Sequence, residues 1–495
     1  MAVTGAVATL AFSPFFILPC FVVSVALLLM AAWSARSARQ AFLTGWWWGF
    51  GHFVTGFYWM SISLLVEPEK FAWLIPFAVS LIPAAMACYL GVLAWAAWFL
   101  PAYSPGKRAM LAACAWVFLE MLRAWLFSGL PWNLAGYVWN VVPQVMQFAA
   151  ALGVYGLSFL AVWLSAALAV ALRKEGRRPL AAASLILLAI AWWGESRLRE
   201  GAAVRDVPGV TLRLVQPNIA QQEKWLPDGL QRQVEKLVRL STEGEVFTHV
   251  IWPETALPIA WDGTKELPPA IVGAVPKGGA LLTGVVRVAQ DGIYNSLVAI
   301  DDTGSRTAAY DKAHLVPFGE YVPFRSVLPL EKITHGMMDF SEGPPGALFQ
   351  GVPGLSTALP QICYEGIFPG PVRTWHFDSQ GILTPRWILN VTNDAWFGNS
   401  TGPYQHFEMT RLRAVEAGLP LVRVANTGIT GVVDAYGVVR VRTQLGEETF
   451  VNSPLPGVAR EPTLFSYAGS NILWLIFALL ALWALTKRYG HVSGK

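Results

Sequence analysis

LPQICYEG (359–366) is an apolar run that ends abruptly in a cysteine, a tyrosine and an acid. Read as a strand that stops at Cys363, it presents a thiol at the edge of a sheet, where α/β proteins place their ligands. Comparable runs surround it: VTLRLVQ (210–216), THVIWPE (248–254), ALLTGVV (280–286) and RWILNVTND (386–394). Between them, QRQVEKLVRL (231–240) and HFEMTRLRAVEAG (406–418) carry apolar residues at helical spacing with charges in between. Strands alternating with helices predict an α/β sandwich with a buried sheet, and a polar region of about 260 residues is enough to enclose one core.

The remainder of the chain reads differently. Of 495 residues 54% are hydrophobic and 14% charged, with 23 tryptophans, and the mean hydropathy is +0.45. A membrane protein fits this balance, since a span needs about 20 apolar residues to cross about 30 Å of hydrocarbon and indole rings favour the interface. Spans are expected near 14–33, 41–65, 71–99, 109–128, 146–172, 179–196 and 470–487. The run from Ala2 to Phe12 is shorter, which leaves seven or eight spans open. The domains expected are therefore an N-terminal polytopic α-helical part over 1–198, a polar α/β part over 205–462 and a C-terminal span over 468–488. Arg36 and Arg39, Lys107 and Arg108, the RKEGRR run (173–178), and Lys487 with Arg488 all sit in connections that alternate across the spans. These belong on the cytoplasmic side, which places the polar domain on the opposite, extracytoplasmic face; with the short Ala2–Phe12 run as a first span, the N-terminus is cytoplasmic as well. A net charge of +4 without a clustered basic run argues against nucleic acid.

Of the four cysteines, Cys20, Cys88 and Cys114 lie in apolar segments, so the polar domain has one thiol and no disulfide framework. A thiol is mostly protonated near neutral pH and needs a base and a stabilising cation to act as a nucleophile. Glu254, closing VIWPE, and Lys312, in AAYDKAHLVPFGEYVP, are residues of the right kind at other strand ends. Taken singly, Glu254 reads as a turn carboxylate, Lys312 as a solvated loop lysine and Cys363 as a small buried hydrophobe. His314 and His406 lack the spacing of a metal site, and there is no phosphate loop, zinc pattern or GxSxG elbow, so no cofactor or metal is expected.

In their order, Glu254, Lys312 and Cys363 resemble the Glu-Lys-Cys triad of the nitrilase (carbon-nitrogen hydrolase) superfamily. Together with the spans, LAFSP (10–14), IWPETALP (251–258), KAHLVPFGEYVP (312–323), ICYEG (362–366), NDAWFG (393–398) and QHFEMTRLRAVE (405–416) resemble its membrane-embedded branch, the apolipoprotein N-acyltransferases of the bacterial cytoplasmic membrane. The resemblance implies an αββα sandwich and a ping-pong acyl transfer. Cys363 would take an acyl chain from a membrane phospholipid as a thioester, with Glu254 as base and Lys312 as oxyanion partner. The chain would then pass to the α-amino group of a diacylglyceryl-cysteine apolipoprotein. It further implies that Glu320 holds Lys312 or the base, that Tyr364 and Glu365 shape the nucleophile's pocket and that Trp225 closes over the substrates. Asn295, Trp396 and Phe397 are implied as supporting residues of the site, and a monomer is expected. The apolar loop from Phe324 to Phe340, with Leu328, Leu330, Ile333, Met337 and Met338, is expected to dip towards the bilayer as a lid. Two other readings keep the same residues: a membrane-tethered amidase that ends with water, and a non-enzymatic lipoprotein-binding protein with an idle triad.

Overall fold

The computed structural model describes residues 1–485 except 225–228, 262–266, 324–331, 333–337, 371, 373–374 and 378–380. Trp225 and most of the expected lid lie outside the described residues.

Three helical segments among the described residues, Pro68–Ala102, Ala149–Leu172 and Arg178–Ala202, are long and apolar enough to cross a membrane. The last of these leaves Leu185, Leu188 and Trp192 exposed, a face that suits hydrocarbon rather than water. Two expected spans are less regular than a continuous apolar run suggests. The 41–65 run is an α-helix only over Ala38–Phe57 and tightens into 3-10 turns over Tyr58–Leu65. The 71–99 run is broken into short turns up to Ala78 before the helix Leu81–Ala97. Pro68 and Pro76 stand in the first turn of two short helical pieces in this stretch, and each lacks the N–H that a continuous helix would use. The Ala38–Phe57 and Leu81–Ala97 helices touch backbone to backbone, because a Cβ at Gly45 would lie 2.1 Å from the Leu90 carbonyl oxygen.

The polar domain is built from two sheets. The first orders strands β14 (Thr449–Pro454), β1 (Thr211–Gln216), β2 (His249–Ile251), β4 (Ala280–Ala289), β5 (Gly292–Asp301) and β6 (Arg306–Asp311), with β3 (Leu257–Trp261) on β4. The second orders β13 (Val439–Arg442), β12 (Gly431–Val433), β11 (Leu421–Ala425), β10 (Trp387–Thr392) and β7 (Ala358–Ile362). A two-stranded ribbon pairs β8 (His376–Phe377) with β9 (Leu383–Thr384).

Side chains alternate across each strand, so each sheet has two apolar faces to cover. In the first sheet Leu214, Ile251, Leu282 and Ala299 are register neighbours and point inward. They meet Ile362, Val391 and Val424, which are neighbours in the second sheet. The opposite row, Val250, Leu281 and Ile300, packs under Leu237 and Leu240 of the helix Gly229–Thr242. Behind the second sheet, Ile388, Leu421 and Val433 lie against Phe407 and Ala414 of the helix Thr401–Ala417. Helix, sheet, sheet and helix thus form the expected αββα sandwich.

The helix Thr401–Ala417 also joins the sandwich to the apolar bundle, since Met409, Leu412 and Val415 belong to the bundle's core. Polar bonds cross the same junction. Trp132 Nε1 donates to Gln405 Oε1 at 2.7 Å, and the Val154 N–H donates to Glu416 Oε1 at 2.7 Å. Ser400 caps this helix by accepting from the Gly402 N–H, and Gly418 ends it in the left-handed conformation.

Candidate active site

Strands β2 and β7 run parallel to their neighbours, and their carboxyl ends open towards the bundle. Glu254 follows β2, Cys363 follows β7 directly, and Lys312 follows β6. All three line one cavity of about 1020 Å³. Lys312, 1% exposed, places Nζ 2.8 Å from Glu320 Oε2 and 3.7 Å from Glu254 Oε1. Asn295, on β5, donates from Nδ2 to Glu254 Oε1 and to Glu320 Oε1, each at 2.8 Å. Glu320 Oε2 accepts as well from the Val316 N–H at 2.8 Å. One amide and one ammonium thus hold two buried carboxylates side by side. Burial opposes the charge on Lys312, yet Glu320 and Glu254 outweigh it and raise the ammonium's pKa above the usual lysine range.

Cys363 opens a tight turn with φ +50°, in the left-handed region that costs a non-glycine residue roughly 1–2 kcal/mol. The turn is braced on both sides. Glu365 Oε2 accepts from the Ile362 N–H at 2.7 Å, and its Oε1 accepts from the Tyr310 hydroxyl and the Ala313 N–H, each at 2.8 Å. Glu365 therefore ties the turn at Cys363 to the loop that carries Lys312, so it acts as a brace and not as a wall of the pocket. The Tyr364 hydroxyl donates to the Gly129 carbonyl at 2.6 Å and fastens the turn to the bundle. Burial, then Glu254, push the Cys363 thiol above its usual pKa, while Lys312 pulls it down.

Behind the turn lies a network that the sequence reading passed over. His406 sits between the Cys363 carbonyl and Asp394, and Asp394 Oδ2 accepts from Arg423 Nη2 at 2.8 Å. Arg423 is a fully buried charge within an otherwise apolar strand, LVRVA, and that pattern was the available signal. Lys224 was also missed, although it is buried and lines the cavity.

Of the remaining expected residues, Trp396 and Phe397 line the cavity. The Phe397 ring also packs on Trp59, with centroids 4.6 Å apart. From the triad the cavity continues into the bundle along Phe77, Leu81, Ile82 and Met86. Its sandwich end is polar and charged, and the bundle contributes mainly apolar side chains, with Lys70 and Arg123 among them. Met338, described at the edge of the expected lid, is exposed.

The chain resembles known proteins over both parts. A family model for the apolipoprotein N-acyltransferase N-terminal domain matches residues 4–167, and one for carbon-nitrogen hydrolases matches residues 211–455. An apolipoprotein N-acyltransferase of Allorhizobium ampelinum is 38% identical over 478 residues, covering 93% of this chain and 88% of the relative. Another, of Rickettsia prowazekii, is 33% identical over 494 residues, covering 97% of each. A solved carbon-nitrogen hydrolase superfamily protein of Xanthomonas campestris is 20% identical, covers 55% of this chain and 96% of its own, and aligns with a TM-score of 0.35. Because the two curated relatives match sandwich and bundle together, nearly end to end, the chain belongs to the apolipoprotein N-acyltransferase family.

Proposed function

We propose that this chain moves an acyl chain from a membrane phospholipid, through a thioester on Cys363, to the α-amino group of a lipoprotein's N-terminal diacylglyceryl-cysteine. The observation that carries this reading is the single cavity that joins Glu254, Lys312 and Cys363 to Phe77, Ile82 and Met86 of the apolar bundle. Each lipid chain costs about 0.8 kcal/mol per CH₂ to expose to water, so a site that opens into hydrocarbon avoids extracting either substrate.

In the first half Glu254 takes the thiol proton as Cys363 attacks the ester carbonyl. The tetrahedral oxyanion is stabilised by Lys312 and the Tyr364 backbone N–H. Collapse breaks the carbon-oxygen bond, and Glu254 returns the proton to the departing lyso-phospholipid. In the second half the free amine attacks the thioester, Glu254 removes its proton, and the thiolate leaves and is reprotonated. Asn295 and Glu320 hold base and ammonium in register through both halves.

The chain lies in the cytoplasmic membrane as a monomer, with the bundle over residues 1–198, the catalytic sandwich over 205–462 on the extracytoplasmic face and a final span over 468–488. The basic connections at Arg36 and Arg39, at Lys107 and Arg108, and at 173–178 support this orientation. A synthetic diacylglyceryl-cysteine lipopeptide, incubated with the purified chain and phospholipid vesicles of one defined acyl composition, gains that acyl mass at its N-terminus. Free fatty acid without N-acylated lipopeptide would instead support the hydrolytic alternative.

A further inference from the structure

A second buried ammonium stands beside the base. Lys224 lies in the turn that follows β1, is 4% exposed, and donates from Nζ to the Glu254 backbone carbonyl at 3.2 Å. The turn is held from two directions. Gln233 Nε2 donates to the Glu223 and Lys224 carbonyls at 3.3 and 2.9 Å. The Ile219 N–H donates to Asn426 Oδ1 at 2.9 Å, and Asn426 Nδ2 returns a bond to the Ile219 carbonyl at 2.7 Å. Enclosing a lysine in this way is costly, and the two half-reactions as written leave it without a part.

The charge of the site supplies the reason. Glu254, Glu320 and Lys312 form one cluster in which two carboxylates face one ammonium, leaving one negative charge in excess. Moving the thiol proton to Glu254 transfers a negative charge to sulfur, and attack carries it on to the ester oxygen, so the excess persists through every step. We propose that Lys224 is a second electrostatic group of the reaction, the cation that neutralises the cavity while negative charge passes from Glu254 to Cys363 and on to the oxyanion. It lines the same cavity as all three residues. Burial lowers its pKa to about 8, against the pull of Glu254, from the turn after β2, and of Cys363, from the turn after β7. Its charge is therefore present below about pH 8 and is lost above it.

The inference takes its chemistry from the acyl-transfer reading, but the alkylation arm of its test does not require lipid. The rate at which iodoacetamide alkylates Cys363 in the full-length purified chain, followed by mass spectrometry of the Cys363 peptide, is measured against pH for wild type, Lys224→Met and Lys224→Gln. Gln keeps a donor for the Glu254 carbonyl and removes only the charge. In both variants the alkylation rate between about pH 6 and pH 7.5, where wild-type Lys224 is charged, should fall about 10-fold, and kcat for acyl transfer should fall about 10- to 100-fold with KM for phospholipid little changed. If Lys224→Met fails to fold, Lys224→Gln decides alone. A Gln variant with the wild-type alkylation profile and wild-type kcat overturns the proposal and leaves Lys224 as a support for the Glu254 carbonyl. If the alkylation rate falls as expected but wild type forms no N-acylated lipopeptide, the charge role stands and the acyl-transfer reading fails.

Discussion

His406 Nε2 lies 3.2 Å from the carbonyl oxygen of Cys363, and its Nδ1 lies 2.9 Å from Asp394 Oδ1. Both of these atoms accept, and the imidazole, donating to one or the other according to its tautomer, braces the peptide of a residue held at φ +50°. Asp394 is held in turn by Arg423 and by the Thr392 hydroxyl, which donates to Oδ1 at 3.0 Å. The conformation that presents the thiol thus depends on a chain of buried polar groups crossing the second sheet. His406→Ala should lower kcat about 10- to 100-fold while the cavity still admits phospholipid, so KM should change little. Steady-state kinetics on vesicles separate the two; a rise in KM alone would contradict a positioning role.

The same network makes a pH prediction. Burial raises the Asp394 pKa, but Arg423 and His406 outweigh it and bring the carboxyl to about 2, below the usual 3.8. A depressed carboxylate contributes stability above its unfolded pKa and loses it as pH falls towards the folded one. The wild-type Tm should therefore drop between about pH 4 and pH 2. Asp394→Asn leaves the Arg423 charge buried without its partner and should cost about 3–5 kcal/mol already at neutral pH, with a flatter acid limb. Thermal melts in detergent across that range check both statements.

Asn295 bridges two carboxylates that would otherwise repel one another, apart from their common ammonium. Asn295→Ala removes both bonds and should reduce kcat about 10- to 100-fold by loosening the base. Asn295→Asp, similar in shape but a third acid, should be more damaging than Ala. An Asp variant more active than Ala would show that the amide's donors are not what orders Glu254 and Glu320.

Lys312→Met keeps the apolar stem and removes the charge between Glu254 and Glu320. One of the two acids should then hold a proton at neutral pH, which weakens the base and removes an oxyanion partner together. Transfer should fall by at least about 10²-fold. In single-turnover experiments the slow step should be formation of the acyl-enzyme; a slowed discharge with normal acylation would contradict this assignment.

The apolar end of the cavity is a length gauge if acyl chains occupy it. Ile82 lines it from the helix Leu81–Ala97. Ile82→Trp should fill part of that space and shift donor preference towards shorter chains. Competition between phospholipids of two chain lengths, read from the product masses, tests this; an unchanged ratio with normal folding would place the chain elsewhere.

Much of the sandwich was legible because the strands and the amphipathic helix at 231–240 carry local periodicity, whereas the helix Thr401–Ala417 is buried on both faces. Glu254, Lys312 and Cys363 could be singled out because each closes an apolar run. Asn295 lies mid-strand in IYNSLVA, and only a resemblance drew it in, since nothing local distinguishes it from an ordinary β-strand amide. The Arg423–Asp394–His406 chain joins residues from three elements of the second sheet's layer, and pairings of that kind have no local signature. Glu365 was expected beside the nucleophile and is there, but its bonds to Tyr310, Ala313 and Ile362 belong to a tertiary junction that spacing does not encode. Hydropathy does not reveal the irregularities of the apolar segments, because tight turns over 58–65 and breaks before 81 leave the composition unchanged.

The central claim is that Cys363 carries the acyl chain, and the most direct measurement is the intact mass of the purified chain after incubation with phospholipid vesicles of one defined acyl composition. The account predicts one added acyl group, located on the Cys363 peptide, absent from Cys363→Ala and released when a lipopeptide bearing a free α-amine is added. An unmodified wild-type chain that still N-acylates the lipopeptide, or an adduct that persists in Cys363→Ala, would contradict it.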